Sequence, residues 1–239
     1  MNKLYSSLRG FTFNNIHNHD MNVVMHSKSI QPPSKKKIKE SVPFMNGSYD
    51  FSTVGSNGEI VYTERTITVV LGLPTDSKEK LQILYSKTIG WLMDVEKSQL
   101  IFDDIKSYYY IAEVESVSTF EEVMSFGRLT VTFTADPFKT SIEYEGDNLW
   151  DTFNFEEDIF QDIEFAVSDT KTISLYNYGR SVTPVVNCTE AMTILVGGVS
   201  YELIIGDNVF YGLKLINGFN NITITGTGNI KFLFKKQVI

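Results

Sequence analysis

Cysteine is almost missing from this 239-residue chain. Cys188 stands alone, which excludes an internal disulfide framework and fits synthesis in a reducing compartment. It ends the run Pro184 to Cys188 and reads as a buried strand thiol, since free cysteine is among the most buried residue types. Histidine is nearly as scarce: His17, His19 and His26 are the whole set. A His-x-His pair can offer two imidazoles to zinc, but no cysteine or carboxylate cluster at a supporting spacing joins it, so no metal is expected. No apolar run approaches the roughly 18 residues of a membrane helix, and Met1 to Arg9 lacks the apolar stretch of a signal peptide. No membrane insertion is therefore expected. A Gly-rich phosphate loop and a Gly-x-Ser-x-Gly nucleophile elbow are also missing, which argues against nucleotide chemistry, a nucleophilic triad and any cofactor.

Positive charge is in deficit too, with 21 Lys and Arg against 29 Asp and Glu and a net charge of −8. A general nucleic-acid binder needs the opposite balance, because its affinity comes largely from bases on phosphates. The deficit is uneven. Residues 1 to 42 hold seven bases (Lys3, Arg9, Lys28, Lys35, Lys36, Lys37, Lys39) and two acids (Asp20, Glu40), giving +5 and leaving −13 for the remainder. A basic arm on an acidic body is suited to docking on a neighbouring copy, and Lys35, Lys36, Lys37 and Lys39 are its candidate contact residues. A solvated loop is the simpler alternative.

What is present is ordinary globular material, 42% hydrophobic and 13% aromatic, enough for a sizeable core. Ile60 to Leu71 reads as a period-two strand stopped by Pro74. Asp76 with Glu79 forms an acidic variant of a capping box, and Leu81, Leu84, Tyr85, Ile89 and Leu92 then give a helical stripe from about Ser77 to Trp91. Strands are expected at Gln99 to Phe102, Tyr108 to Val117 and Gly127 to Ala135, where Leu129, Val131 and Phe133 alternate with threonines. A domain boundary is placed near Pro137, before an acid-rich stretch from Lys139 to Glu164. Beyond it short strands recur at Thr172 to Leu175, Val182 to Cys188, Met192 to Val196, Val199 to Ile205, Val209 to Leu215, Ile222 to Thr225 and Ile230 to Phe234. Hairpin turns are expected at Gly197-Gly198 and Gly226 to Asn229. The pattern predicts a mainly β chain: an N-terminal β-sandwich-like domain with one helix over 1 to 138, and a β-sandwich over 139 to 239.

Few residues carry candidate chemistry. Carboxylates of the acid-rich stretch are the raw material of a cell-wall hydrolase or a calcium site, yet no specific spacing is present, and no catalytic residue is assigned. Tyr108, Tyr109 and Tyr110 are candidates for an exposed aromatic patch, or for a strand with alternate rings buried. Asn187-Cys188-Thr189 and Asn221-Ile222-Thr223 match glycosylation acceptors but come without a secretory signal.

The order of features is more telling than any one of them. Phe11-x-Phe13, Tyr49-Asp50-Phe51-Ser52 and Glu64-Arg65-x-Ile67 are followed by a helix ending in Gly90-Trp91-Leu92. Then come Tyr109-Tyr110 and Gly127 leading to Leu129-Thr130-Val131-Thr132-Phe133 before Asp136-Pro137. Over residues 1 to 138 this resembles the N-terminal domain of the siphophage distal tail protein family. Tyr176-Asn177-Tyr178-Gly179 before Pro184 is similar to that family's galectin-like or carbohydrate-module-like sandwich. The resemblance implies a non-catalytic structural protein at the virion tail tip, made in the host bacterial cytoplasm. It also implies six copies in a ring joining the tail tube to tail-associated, baseplate and receptor-binding proteins, with DNA passing through without specific binding. A carbohydrate-binding adhesion module for host cell-wall polysaccharide is the alternative.

Overall fold

The computed structural model describes residues 10–56, 58–146 and 160–239. It divides into two compact units, Met1–Lys139 with Ile239, and Thr140–Val238.

The first unit holds β1 (Phe11–Phe13), β2 (Ile16–His17), β3 (Val24–Ile30), β4 (Lys39–Glu40), β5 (Tyr49–Asp50) and β6 (Arg65–Pro74). After these come α1 (Lys78–Met93), β7 (Ser98–Phe102), β8 (Tyr108–Val117), β9 (Glu121–Val123) and β10 (Phe126–Ala135). Strands of the main sheet run in the order β2-β1-β7-β8-β10-β6-β3, and β9 pairs with β10 off this path. Period-two patterning decides its faces. Leu129, Val131 and Phe133 of β10 stand in register with Leu71, Val69 and Ile67 of β6, and all six are buried while the alternating threonines face outward.

This sheet curls. Phe11 on β1 lies three strands away from Phe133 on β10 in the sheet order, a separation of about 14 Å if flat at the usual strand spacing. The two rings nevertheless meet edge to face at 6.4 Å, and Phe13 meets Phe133 at 5.3 Å. Helix α1 caps the open side with Leu81, Trp91 and Leu92 in the same core, and the Trp91 indole stacks on Phe11 at 5.6 Å while its Nε1 donates to the Phe13 carbonyl. The helix begins one residue later than the acidic pattern suggests. Ser77 is the N-cap, its Oγ accepting from the Lys80 amide, whereas Asp76 pairs with the Lys80 ammonium at 2.7 Å. A hydroxyl at the cap satisfies an amide that helix geometry leaves without a partner. The strand expected from Ile60 is also corrected: β6 starts at Arg65, whose buried guanidinium donates to the Pro137 carbonyl and lies over the Tyr110 ring.

In the second unit, β11 (Lys139–Ser141) pairs with β18 (Gln237–Val238). The rest is built on a long hairpin of β12 (Glu164–Asn177) and β17 (Gly218–Leu233), in continuous register from Glu164↔Lys231 to Asn177↔Gly218. The other edge of β17 is shared. Its first half pairs with β14 (Met192–Val196), which carries β15 (Val199–Leu203) across the Gly197-Gly198 turn. Its second half pairs with β13 (Val185–Cys188), which carries β16 (Gly206–Val209).

Gly226 to Asn229, expected as a hairpin turn, therefore lie inside one strand and bend it. Gly226 and Gly228 take φ of +142° and +145°, opposite Asp169 at φ +68° and Val167. A Cβ at either glycine would meet the Met192 side chain at 2.8 Å. A glycine kink lets one strand serve both halves of a sandwich. The segment Val209 to Leu215 is corrected as well: only Val209 is in a strand, and Leu215 makes an isolated bridge with Val182.

Buried asparagines hold the turns. In Ile204-Ile205-Gly206-Asp207-Asn208, the Asn208 amide donates to the Ile204 and Gly206 carbonyls and its oxygen accepts from the Ile204 amide. Ile216-Asn217-Gly218-Phe219-Asn220 repeats the arrangement around Asn220. Gly206 and Gly218 sit at φ +95° and +94°. Each asparagine thus closes the loop entering a strand and leaves no amide atom of its own unsatisfied.

Candidate assembly interface

Between β3 and β6 the chain leaves the first unit's sheet as a ribbon. The β3–β6 ladder ends at Ile30↔Ile67, and the pairing then continues outward. Gln31 donates to the Thr66 carbonyl at 3.0 Å, Thr63 to Ser34 at 2.8 Å and Lys36 to Val61 at 2.8 Å. At the far end β4 and β5 pair through Lys39↔Asp50 and Glu40↔Tyr49. The Ser52 hydroxyl accepts from the Ile38 amide, and Phe51 donates to the Ile38 carbonyl.

Lys35, Lys36, Lys37 and Lys39 all lie on this ribbon with exposed side chains. Lys37 pairs with Asp50 at 2.9 Å. The Ser52 hydroxyl and amide together with the Lys37 ammonium hold the Asp50 carboxyl well below the usual carboxylate range. Among the described residues, Lys35, Lys36 and Lys39 make no ion pair. The ribbon also exposes apolar groups that the charge count does not reveal. Ile38, Val42 and Val54 are open to solvent, and Phe44 is fully exposed at φ +67°, a region that bulky residues rarely enter. In the sequence their signal is only apolar residues inside a turn-rich segment without periodicity.

The other candidates are placed elsewhere. His17 and His19 stack edge to face at 4.7 Å, and the His17 Nε2 lies 3.3 Å from Asp103. His26 instead stands against Phe126 on β10. No group of three or more His, Cys, Asp or Glu side chains that could hold a metal ion lies among the described residues. Tyr108 and Tyr110 are buried, so the tyrosine run forms no exposed patch. Cys188 is buried in the sandwich, its Sγ 3.0 Å from the Ile204 carbonyl, and burial pushes its thiol pKa up. Of the acid-rich stretch, residues 147 to 159 lie outside the described residues. No helix among the described residues is long and apolar enough to cross a membrane.

Residues 16–135, just over half of the chain, match the model of the phage tail protein RIFT-related domain. The chain belongs to this phage tail protein family. No curated protein matches the sequence. Among solved structures, this tail protein is similar to the Dit (gp 19.1) protein of phage SPP1, described as a paradigm of hub adsorption apparatus in Gram-positive infecting phages. The TM-score is 0.65 at 12% identity, over 98% of this chain and 100% of that one. At that identity the likeness shows the fold. The phage P2 baseplate in its calcium-activated conformation also matches, with a TM-score of 0.43 and 10% identity over 96% of this chain and 98% of that one.

Proposed function

We propose that this tail protein is a distal tail protein. Its first domain, residues 1 to 138, forms a ring of six copies that joins the tail tube to the baseplate and receptor-binding proteins, and DNA passes through the ring. The protein then sits at the virion tail tip after synthesis in the host cytoplasm, and it has no catalytic role. The observation that carries this reading is the likeness of fold to SPP1 Dit over 98% of the chain, in a chain whose family is one of phage tail proteins. The net charge of −8 suits a channel for DNA, since like charge discourages phosphates from sticking. The ribbon carrying Lys35, Lys36, Lys37 and Lys39 is the contact arm in this reading, because exposed apolar and unpaired basic groups together mark an interface.

Solution mass by light scattering at several concentrations, with negative-stain images of the same sample, tests it. A closed ring of six chain masses is expected; a monomer at every concentration would sink the reading. Replacing the four lysines with glutamine should weaken assembly, most at low salt where screening is least. Sugar binding by the second domain is the second reading. It draws on Tyr178, Tyr211 and Phe219, all exposed on the sandwich, since aromatic faces can stack on sugars. Titration with host cell-wall polysaccharide should then show saturable binding, and a flat titration removes it.

A further inference from the structure

Asparagine followed by glycine occurs at Asn46-Gly47, Asn57-Gly58 and Asn217-Gly218, and the structure treats the first and the last of these pairs in opposite ways. Such a pair is prone to internal cyclisation. Glycine has no side chain to shield its backbone nitrogen, and its conformational freedom lets that nitrogen reach the asparagine amide carbon. Residues 41 to 48 join β4 to β5 at the far end of the arm, and every one of them is exposed. Among the described residues a single backbone bond lies within this stretch, from the Met45 amide to the Val42 carbonyl at 3.2 Å. Neither the Asn46 side chain nor the Gly47 amide has a hydrogen-bond partner among the described residues. A Cβ built on Gly47 meets nothing within 4 Å. Few contacts and a solvated backbone let a segment change conformation without unfolding the domain that carries it.

Asn217 has the same neighbour and different surroundings. Its Nδ2 donates to the Tyr178 carbonyl at 2.8 Å and to the Gly179 carbonyl at 2.9 Å. Gly218 opens β17 in register with Asn177, and its carbonyl accepts from the Asn220 side chain at 3.0 Å. Cyclisation here requires the amide to give up both bonds and the strand end to open, so the reaction waits for local unfolding. Asn57 lies outside the described residues.

We infer that Asn46 is a self-modification site, deamidating in the folded chain under conditions that leave Asn217 intact. The Gly47 nitrogen loses its proton and attacks the Asn46 Cγ. A C–N bond forms, ammonia leaves carrying a proton, and water opens the resulting succinimide at either carbonyl to give aspartate or isoaspartate. One water is consumed and one ammonia released, and nothing is oxidised. Lys35, Lys36, Lys37 and Lys39 against Glu40 and Asp50 give residues 35 to 50 a charge of +2. The new carboxylate halves it, and with it the field of the segment read above as the contact arm. The chemistry needs no partner and stands apart from the ring reading.

The test follows the full-length protein over time near neutral pH and in mild alkali, in buffer and in guanidinium chloride. Proteolysis and fragmentation mass spectrometry separate aspartate from isoaspartate and read positions 46, 57 and 217 individually. In buffer, position 46 should convert at least about tenfold faster than position 217, the factor carried by about 1.4 kcal/mol of local protection. Conversion should yield both products and quicken in alkali, where the attacking nitrogen loses its proton more readily. In denaturant the two rates should come together, since unfolding removes the bonds that hold Asn217. A ratio in buffer no larger than the ratio in denaturant overturns the inference. So does an Asn46 that keeps its amide in buffer for a time that converts it in denaturant. Aspartate without isoaspartate would overturn the succinimide route.

Discussion

The two units stabilise their sheets by different means. In the first, aromatic rings fill the centre: Phe11, Phe13, Phe102, Phe133 and Trp91 meet within a curled sheet capped by one helix. In the second there is no helix among the described residues. Its buried side chains are mostly aliphatic, and polar locks at Asn177, Asn208 and Asn220 tie its loops to its strands. Large rings in a core depend on shape, and a buried amide depends on every partner being present. The same class of damage should therefore act differently in each.

The largest effect is expected at Phe133. Truncation to alanine removes a fully buried ring that touches both Phe11 and Phe13, and should cost about 3–5 kcal/mol in equilibrium urea unfolding. A loss below about 1 kcal/mol would mean that the sheet closes over the gap and that the aromatic cluster is not what holds it. Asn208→Ala in the second unit comes next, with an expected loss of about 1–3 kcal/mol, because the Ile204 amide and two or more carbonyls lose their partner. Asn220→Ala should match it, since the turn geometry is the same. If either substitution is neutral, water replaces the amide and the contrast between the units narrows.

The contrast also explains what could be read in the sequence. The first unit's Leu129-Thr130-Val131-Thr132-Phe133 shows its period directly, because one face is buried and the other is solvated along the whole strand, and the helix announces itself through Leu81, Leu84 and Leu92. In the second unit Gly226 and Gly228 look like a turn, because glycine at positive φ commonly reverses a chain. Only the unbroken pairing with β12 shows that it bends one. The twin Ile-x-Gly-x-Asn loops were open to inspection as a repeat twelve residues apart, yet nothing local says that the amides turn inward. For the arm, the lysine run marked the segment by charge. The exposed Phe44 and Val54 have no periodic signature, since what defines them is the absence of a covering neighbour.

Gly228→Ala tests the bend itself. The residue sits at φ +145°, and a Cβ would meet Met192 and the Thr189 hydroxyl at 2.8 Å. Backbone strain alone is expected to cost about 1–3 kcal/mol, and the clash adds to it. Because the kink lets β17 serve both β13 and β14, the variant should also lose amide protection in one of those flanking strands before the other. A variant as stable as the parent would show that the strand can straighten and that the two halves of the sandwich are less dependent on the kink than its geometry suggests.

The smallest expected effect lies outside both cores, at Asp50 on the arm. Its carboxylate accepts from the Ser52 amide and from Lys37, and these bonds together with the Ser52 hydroxyl lower its pKa from the ordinary 3.8. A carboxyl with a depressed folded pKa contributes stability that is present above its unfolded value and disappears as pH falls through the folded one. The β4–β5 pairing should therefore be indifferent to pH from neutrality down to about 4 and loosen only in stronger acid. Hydrogen exchange at the Ile38 and Ser52 amides reads this directly. Asp50→Ala should speed exchange at both amides several-fold at neutral pH, with no change in the protection of β6 or β10. If exchange in the parent instead quickens between pH 6 and 4, a different group governs the arm, and the hairpin that presents the lysines is held by something other than the Asp50 turn.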